Sequence, residues 1–368
     1  MLENKDIIEN HLKKINELSY KLNRQITLME VCGGHTNVIM KYGIRDILPK
    51  NIKLISGPGC PVCVTSQKDI DCAIELAFSG IIIATYGDML KVPGSYMNLE
   101  EAKAKTGNII EIYSTTDVLE LKKEFERKNK EIVFFGVGFE TTAPMTSYLL
   151  KNNVCVYSVH KIMPPALKFL VSHDKLKIDG FISPGHVSTI IGKTAYEDLK
   201  IPQVITGFSP EQILRGISIL IELIIKEKNI VFNAYPEVVK DTGNEVAKKL
   251  LEETFYIVDS EWRGIGLIEK SGLEVKNSKL NAKIKYKDIL KNVKISEEKE
   301  CLTCKVDLIN STNMNLNEEK PRCGEVLLGL IQPKECPLYK VKCTPLTPRG
   351  ACMVSEEGSC AIAFRYDN

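Results

Sequence analysis

Short runs of β-branched and aromatic residues recur along the first 210 positions, separated by segments whose apolar residues fall at helical spacing. The runs predict strands at Ile26–Val31, Ile52–Ile55, Ile81–Thr85, Ile109–Tyr113, Ile132–Phe135, Val154–Val159, Gly180–Ser183 and Gln203–Thr206. Strands alternating with helices are the pattern of βαβ units and a parallel sheet. Their near-even spacing suggests two sets of four, hence two similar parallel-sheet α/β domains over residues 1–120 and 121–235. A closed (β/α)8 barrel has the same strand count and is the rival architecture.

Helix starts agree with this register. Ser209-Pro210-Glu211-Gln212 offers an N-cap serine, a proline at the first helical position and a glutamine three residues after the cap. Ser66-Gln67-Lys68-Asp69 is a similar start. From about Asp241 the pattern changes to a helix at Gly243–Glu253, a strand-like Phe255–Val258 and the glycine-rich Trp262-Arg263-Gly264-Ile265-Gly266. Beyond Ser296 periodicity gives way to cysteine and proline. Residues 236–368 are therefore expected to form a cysteine-rich α+β domain, held by metal ligation more than by a large core.

Composition and charge narrow the function classes. Apolar residues make up 44% of the chain, and 49 basic residues stand against 47 acidic ones, a net of +2. No global field recruits nucleic acid or an anionic membrane, so neither is expected as a partner. The longest apolar run, Ile217 to Ile225, is interrupted by Glu222 and falls short of the roughly 20 residues a membrane span needs. Met1-Leu2-Glu3-Asn4-Lys5-Asp6 has no signal-peptide character. A cytoplasmic, reducing location is expected, where paired cysteines are ligands or redox groups rather than staples.

Twelve cysteines then carry most of the chemistry. In a parallel sheet, ligands bind beyond the carboxyl ends of the strands, and these ends are reactive here. Cys32-Gly33-Gly34-His35 follows the first strand, Gly57-Pro58-Gly59-Cys60-Pro61-Val62-Cys63 the second and Tyr86-Gly87-Asp88 the third. Gly136-Val137-Gly138-Phe139-Glu140, His160 and Pro184-Gly185-His186 follow later strands. Cys60 and Cys63 precede a helix start near Ser66, whose amides and dipole would favour thiolate; the bland alternative is a tight turn that merely contains cysteines.

A lone thiol such as Cys32 is commonly a core residue, yet Gly33-Gly34 admits a close ligand and His35 can add a second ligand or a proton. Glu140 reads as a proton-handling or hydrogen-bonding group. Cys72 and Cys155 read as packing, His11 and His173 as surface residues. Gly136-x-Gly138-x-x-Thr141 lacks the third glycine and the acidic residue of a dinucleotide site, which is rejected. In the tail, Cys323, Cys336, Cys343 and Cys360 suit a [4Fe–4S] cluster. Zinc is equally open, above all if Cys301 and Cys304 join Cys323 and Cys336.

Together these segments resemble the hydrogenase maturation factor HypD family. The resemblance is carried by Glu30-Val-Cys-Gly-Gly-His-Thr36, Ser56-Gly-Pro-Gly-Cys-Pro-Val-Cys63, Gly136-Val-Gly-Phe-Glu-Thr-Thr-Ala-Pro144 and Trp262-Arg-Gly-Ile-Gly266. It continues through Cys323-Gly-Glu-Val-Leu327, Glu335-Cys-Pro337, Cys343-Thr-Pro345 and Cys352-Met-Val-Ser355, and so spans nearly the whole chain.

The resemblance implies a scaffold that, with a HypC-type small chaperone and a HypE-type cyanide donor, assembles the iron centre bearing cyanide and carbon monoxide for [NiFe] hydrogenase. It implies Cys32 as the iron-binding thiol, Cys60 and Cys63 as a redox-active pair, and His35 and Glu140 as cleft residues. It implies further that Cys323, Cys336, Cys343 and Cys360 bind a [4Fe–4S] cluster that exchanges electrons with the cleft thiols. Two features depart from the family pattern: Asn37 stands where many relatives have a second histidine, and Cys301-x-x-Cys304 is an extra pair. The competing classes are a cluster-fed dithiol–disulfide reductase, in which Cys60 attacks a partner's disulfide, Cys63 resolves it and Cys32 is not needed, and a zinc-stabilised α/β hydrolase or transferase.

Overall fold

The computed structural model describes residues 2–291, 293 and 321–366; Cys301 and Cys304 lie outside the described residues. Eleven strands are present among them: β1 (Ile26–Glu30), β2 (Ile52–Ser56), β3 (Ile82–Tyr86), β4 (Ile109–Ile112), β5 (Ile132–Gly136), β6 (Cys155–Ser158), β7 (Gly180–Pro184), β8 (Gln203–Thr206), β9 (Val231–Asn233), β10 (Phe255–Trp262) and β11 (Gly266–Val275). The eight expected strands all form. The ninth, β9, has three residues, too few to show a period in sequence.

The strands make two open parallel sheets, ordered β2-β1-β7-β8-β9 and β4-β3-β5-β6, plus the antiparallel hairpin β10–β11. No barrel closes. The four-and-four division in chain order is also corrected. The chain leaves the first sheet after β2, builds all of the second, and returns at β7, which pairs along the free edge of β1 with Glu30 opposite Ile182. The expected boundary at residue 120 thus falls between β4 and β5, inside the second sheet. Sequence spacing counts strands but does not say which edge each will find.

Alternation along the strands explains why the runs looked continuously apolar. In β5, Phe134 faces an outer core with Ile82, Ala84 and Leu149, while Val133 and Phe135 face a central one. In β1, Leu28 packs outward with Ile15, Ile213 and Ile217, whereas Met29 points to the same central core. Both faces of each sheet are buried, as parallel sheets require. The central core also takes in Cys343, Cys352, Met353 and Cys360 of the C-terminal segment.

The helix starts fall as expected. Ser209 accepts from the Gln212 amide in a full capping box on Pro210–Ile225, and Ser66 caps Gln67–Phe78 through the Asp69 amide. The helix expected at Gly243 begins at Glu245, capped by Asn244. Trp262, fully buried, donates to Ser271 at 2.8 Å, so the glycine-rich stretch is the turn of the β10–β11 hairpin. Cys72 and Cys155 are buried in a helix and a strand, and His11 and His173 are half-buried. Among the described residues, no helix is long and apolar enough to cross a membrane.

Candidate thiol site at the strand ends

Each sheet has a switch point where neighbouring strands leave in opposite directions: β1/β7 in the first and β3/β5 in the second. Crevices open beyond the carboxyl ends of such pairs. The loops found there are Cys32–His35, Pro184–His186, Tyr86–Asp88 and Gly136–Glu140, four of the segments singled out in sequence.

Cys32 is the N-cap of the helix Gly33–Lys41. The amides of Gly34 and His35 bond its thiol and pull its pKa down, but burial, joined by the Glu357 carboxylate, outweighs them and pushes it up to about 11. Cys32 is therefore a thiol at neutral pH, and a metal that binds it must displace a proton. The helix start expected beside Cys60 and Cys63 does form at Ser66, but the cysteine loop makes a turn before Gln67, and the thiol that sits directly at a helix start is Cys32, on Gly33–Lys41.

That loop lies against Cys32 with no space between. The Gly33 amide donates to the Gly59 carbonyl at 3.2 Å, and a Cβ on Gly59 would stand 2.4 Å from the Cys32 nitrogen. Only glycine permits this approach. Cys60 and Cys63 are joined as a disulfide and are 3% and 1% exposed. On its far side the Cys63 sulfur lies 3.9 Å from the carbonyl oxygen of Ala351, next to Cys352.

A buried clamp sets the spacing of the two loops. Glu30, two residues before Cys32, accepts from Ser56 at 2.5 Å, from Arg45 at 2.9 Å and from Thr36 at 3.3 Å, all at one carboxylate oxygen. Ser56 begins the loop that carries Cys60. Local sequence links neither Ser56 nor Arg45 to Cys32.

His35 is fully buried, with Nε2 3.0 Å from the Gly207 carbonyl and 3.3 Å from that of Thr206. Two acceptors require the proton on Nε2, which leaves Nδ1 a bare lone pair with no hydrogen-bond partner among the described residues. Burial pushes the ring down to about 4, so it is neutral. Its ring stacks on Phe208, which stacks in turn on His186. Glu140 is buried too, and its Oε1 accepts the Met163 amide at 2.8 Å, holding the start of the helix Met163–Ser172. Burial raises it to about 7. His160, bonded to Thr146 at 2.8 Å, lies in the interior.

Sequence reading missed Glu357. Its β-carbon would be 2.5 Å from a Cβ on Gly33, and its amide donates to Ser355, whose hydroxyl donates to Asp88 at 3.1 Å. Asp88 lies just after β3, where sequence alone assigns it no role. The signal was faint: two acids, Glu356 and Glu357, between Cys352 and Cys360.

Cys323, Cys336, Cys343 and Cys360 come together, with Cys352 as a fifth thiol, around one cavity also walled by Val326, Tyr339 and Met353. Arg349 donates its amide to Cys343 at 3.3 Å, while a hydrogen bond with Cys352 and burial hold Cys360 well above its ordinary value. Among the described residues, no three His, Cys, Asp or Glu side chains converge closely enough to hold a single ion.

Fold and site together define a thiol protein built on two parallel sheets, with a helix-capping cysteine at one switch point, a buried disulfide beside it and a five-cysteine cavity behind. A family model described as "Hydrogenase formation hypA family" under the name HypD matches residues 6–367. A hydrogenase expression/formation protein of Methanocaldococcus jannaschii is 38% identical over 379 residues, covering 99% of this chain and 98% of its own. The hydrogenase maturation factor HypD of Escherichia coli is 37% identical over 373 residues, covering 98% and 94%. HypD2 of Bradyrhizobium diazoefficiens is 37% identical over 360 residues, covering 92% and 88%. The chain belongs to the HypD family of hydrogenase maturation factors.

Proposed function

We propose that the protein is a scaffold on which an iron centre bearing cyanide and carbon monoxide is assembled for [NiFe] hydrogenase, with Cys32 as its thiolate ligand. A HypC-type small chaperone would supply the facing thiolate and a HypE-type protein the cyanide, in the cytoplasm. One observation carries the reading: the Cys60–Cys63 disulfide is buried between the Cys32 loop, at the Gly33–Gly59 hydrogen bond, and the five-cysteine cavity, at Ala351. Soft thiolate donors suit iron with strong-field ligands.

The donor set of the cavity fits a [4Fe–4S] cluster, which takes four thiolates around a space rather than at a point. Cys323, Cys336, Cys343 and Cys360 would hold it, and when bound it supplies electrons at low potential. The remaining work falls to the chain's own groups. Gly34 and His35 orient the Cys32 sulfur through their amides, Glu357 stands by as an acceptor for the displaced proton, and the Glu30 clamp keeps both cysteine loops in register.

The dithiol–disulfide reductase reading fits less well, since Cys60 and Cys63 are too buried for a partner's disulfide to reach them. Maturation of hydrogenase in cells carrying Cys32→Ala separates the two. A scaffold loses it and a reductase keeps it, so full maturation in that variant overturns the proposal. Iron, acid-labile sulfide and zinc measured on one anaerobic preparation test the cavity. About four iron and four sulfide per chain are expected, and stoichiometric zinc without sulfide would refute the cluster.

A further inference from the structure

The segment that wraps Cys343 holds an apolar residue out in solvent by construction. Thr344 to Thr347 form a turn in which the Thr347 amide donates to the Thr344 carbonyl at 3.1 Å and the two hydroxyls lie 3.0 Å apart. Pro345 and Leu346 occupy its tip. Two residues further on, the Arg349 amide returns to the Cys343 sulfur, so the turn folds over that thiol. Leu346 is 93% exposed and Val341 74%; neither contributes to the core.

Around this tip the charge is one-sided. Between Pro333 and Gly350 stand Lys334, Lys340, Lys342 and Arg349 against Glu335 alone, and all four cations are exposed. The whole chain is nearly balanced, so the excess is local. Lys334 also lines an adjoining groove with Lys50 and Lys53, where Asp46 is the one acid and Arg45, in the same lining, is held by Glu30. A single-stranded nucleic acid would call for exposed rings on which bases stack, but Tyr339, the ring between these cations, is buried. An apolar tip ringed by cations fits a protein whose surface is acidic around an apolar spot.

We propose that the face from Lys334 to Arg349 docks an acidic one-electron carrier protein, with Leu346 at its centre. This rests on the reading of the cysteine cavity as a redox site. Opening the Cys60–Cys63 disulfide takes two electrons and two protons and yields two thiols. Two reduced carriers would each give up one electron and leave oxidised, and solvent would supply the protons.

The test uses the full chain, purified anaerobically, and a reduced plant-type [2Fe–2S] ferredoxin as probe. Lys340 stays in place because its amine lies over the Tyr339 and Phe364 rings, 5.8 Å from each centroid. Calorimetry should show binding that weakens as salt rises. Lys334→Glu with Lys342→Glu should weaken it by roughly tenfold or more and flatten the salt dependence. Leu346→Ser should weaken it with the salt dependence unchanged. Equal affinity in wild type and both variants overturns the proposal. So does tighter binding of single-stranded DNA than of ferredoxin, or self-association through this face. Counting thiols after dithionite judges the other reading separately: a Cys60–Cys63 pair that stays closed in wild type defeats the redox role of the cavity, while the binding data still judge the face.

Discussion

The amide of Gly33 donates to the carbonyl of Gly59 at 3.2 Å, which ties the helix capped by Cys32 to the loop carrying Cys60 and Cys63. Gly59→Ala places a methyl group 2.4 Å from backbone, which has no side-chain freedom with which to yield. We expect a loss of about 1–3 kcal/mol or more in urea unfolding. A variant as stable as wild type would show that the two loops are not in register.

The Glu30 clamp makes a second prediction. Arg45→Ala leaves a wholly buried carboxylate without its cation, and should cost on the order of 3 kcal/mol. Replacing both partners, Glu30→Gln with Arg45→Met, should recover most of that loss in the same denaturation experiment. A double variant no better than Arg45→Ala would mean the pair does more than balance charge.

Glu140 should write its burial into the pH dependence of stability. Its folded pKa of about 7 lies above the ordinary 4.5. The folded state therefore holds the proton more tightly, and stability contributed by the neutral acid is full below 4.5 and lost as pH rises toward 7. Glu140→Gln keeps an acceptor for Met163 and removes the titration. The variant should gain on wild type across that window, by about 3 kcal/mol at most. Parallel curves would show that Glu140 is solvated.

His160 acts in the opposite sense. Burial pushes it down to about 4, so its contribution is full above 6.5 and lost as pH falls to 4. His160→Gln should flatten the acid limb of a stability profile measured between pH 4 and 7.

Cys32 in the metal-free protein should alkylate slowly at neutral pH, with a rate that climbs toward pH 11. Glu357→Gln removes a negative charge beside it and should speed the reaction at a given pH, by about two- to tenfold. An unchanged rate would place Glu357 outside the field of that thiol.

Much of this was legible in sequence. The strand ends marked Cys32, Cys60, Cys63, His35 and Glu140, and the structure brings Cys32 against the Cys60–Cys63 loop. It also gathers Cys323, Cys336, Cys343 and Cys360, the set the family resemblance implied where spacing alone left a zinc site with Cys301 and Cys304 equally open, and Cys352 shares their cavity. Glu357 and Ser355 were not legible, because they reach Cys32 and Asp88 only after the chain has crossed both sheets. The protonation of His35 was equally hidden: it depends on the carbonyls of Thr206 and Gly207, 171 and 172 residues away.

By itself the sequence determined the eight strands, the capped helix starts and the thiol motifs, because each follows from side-chain period or spacing over a few residues. Tertiary structure alone decided that β7 returns to β1, and with it where the switch points fall, since pairing depends on which strand edge is free. It also decided which thiols are closed or protonated. Those states are set by burial and by charges from distant segments, and no local pattern carries that information.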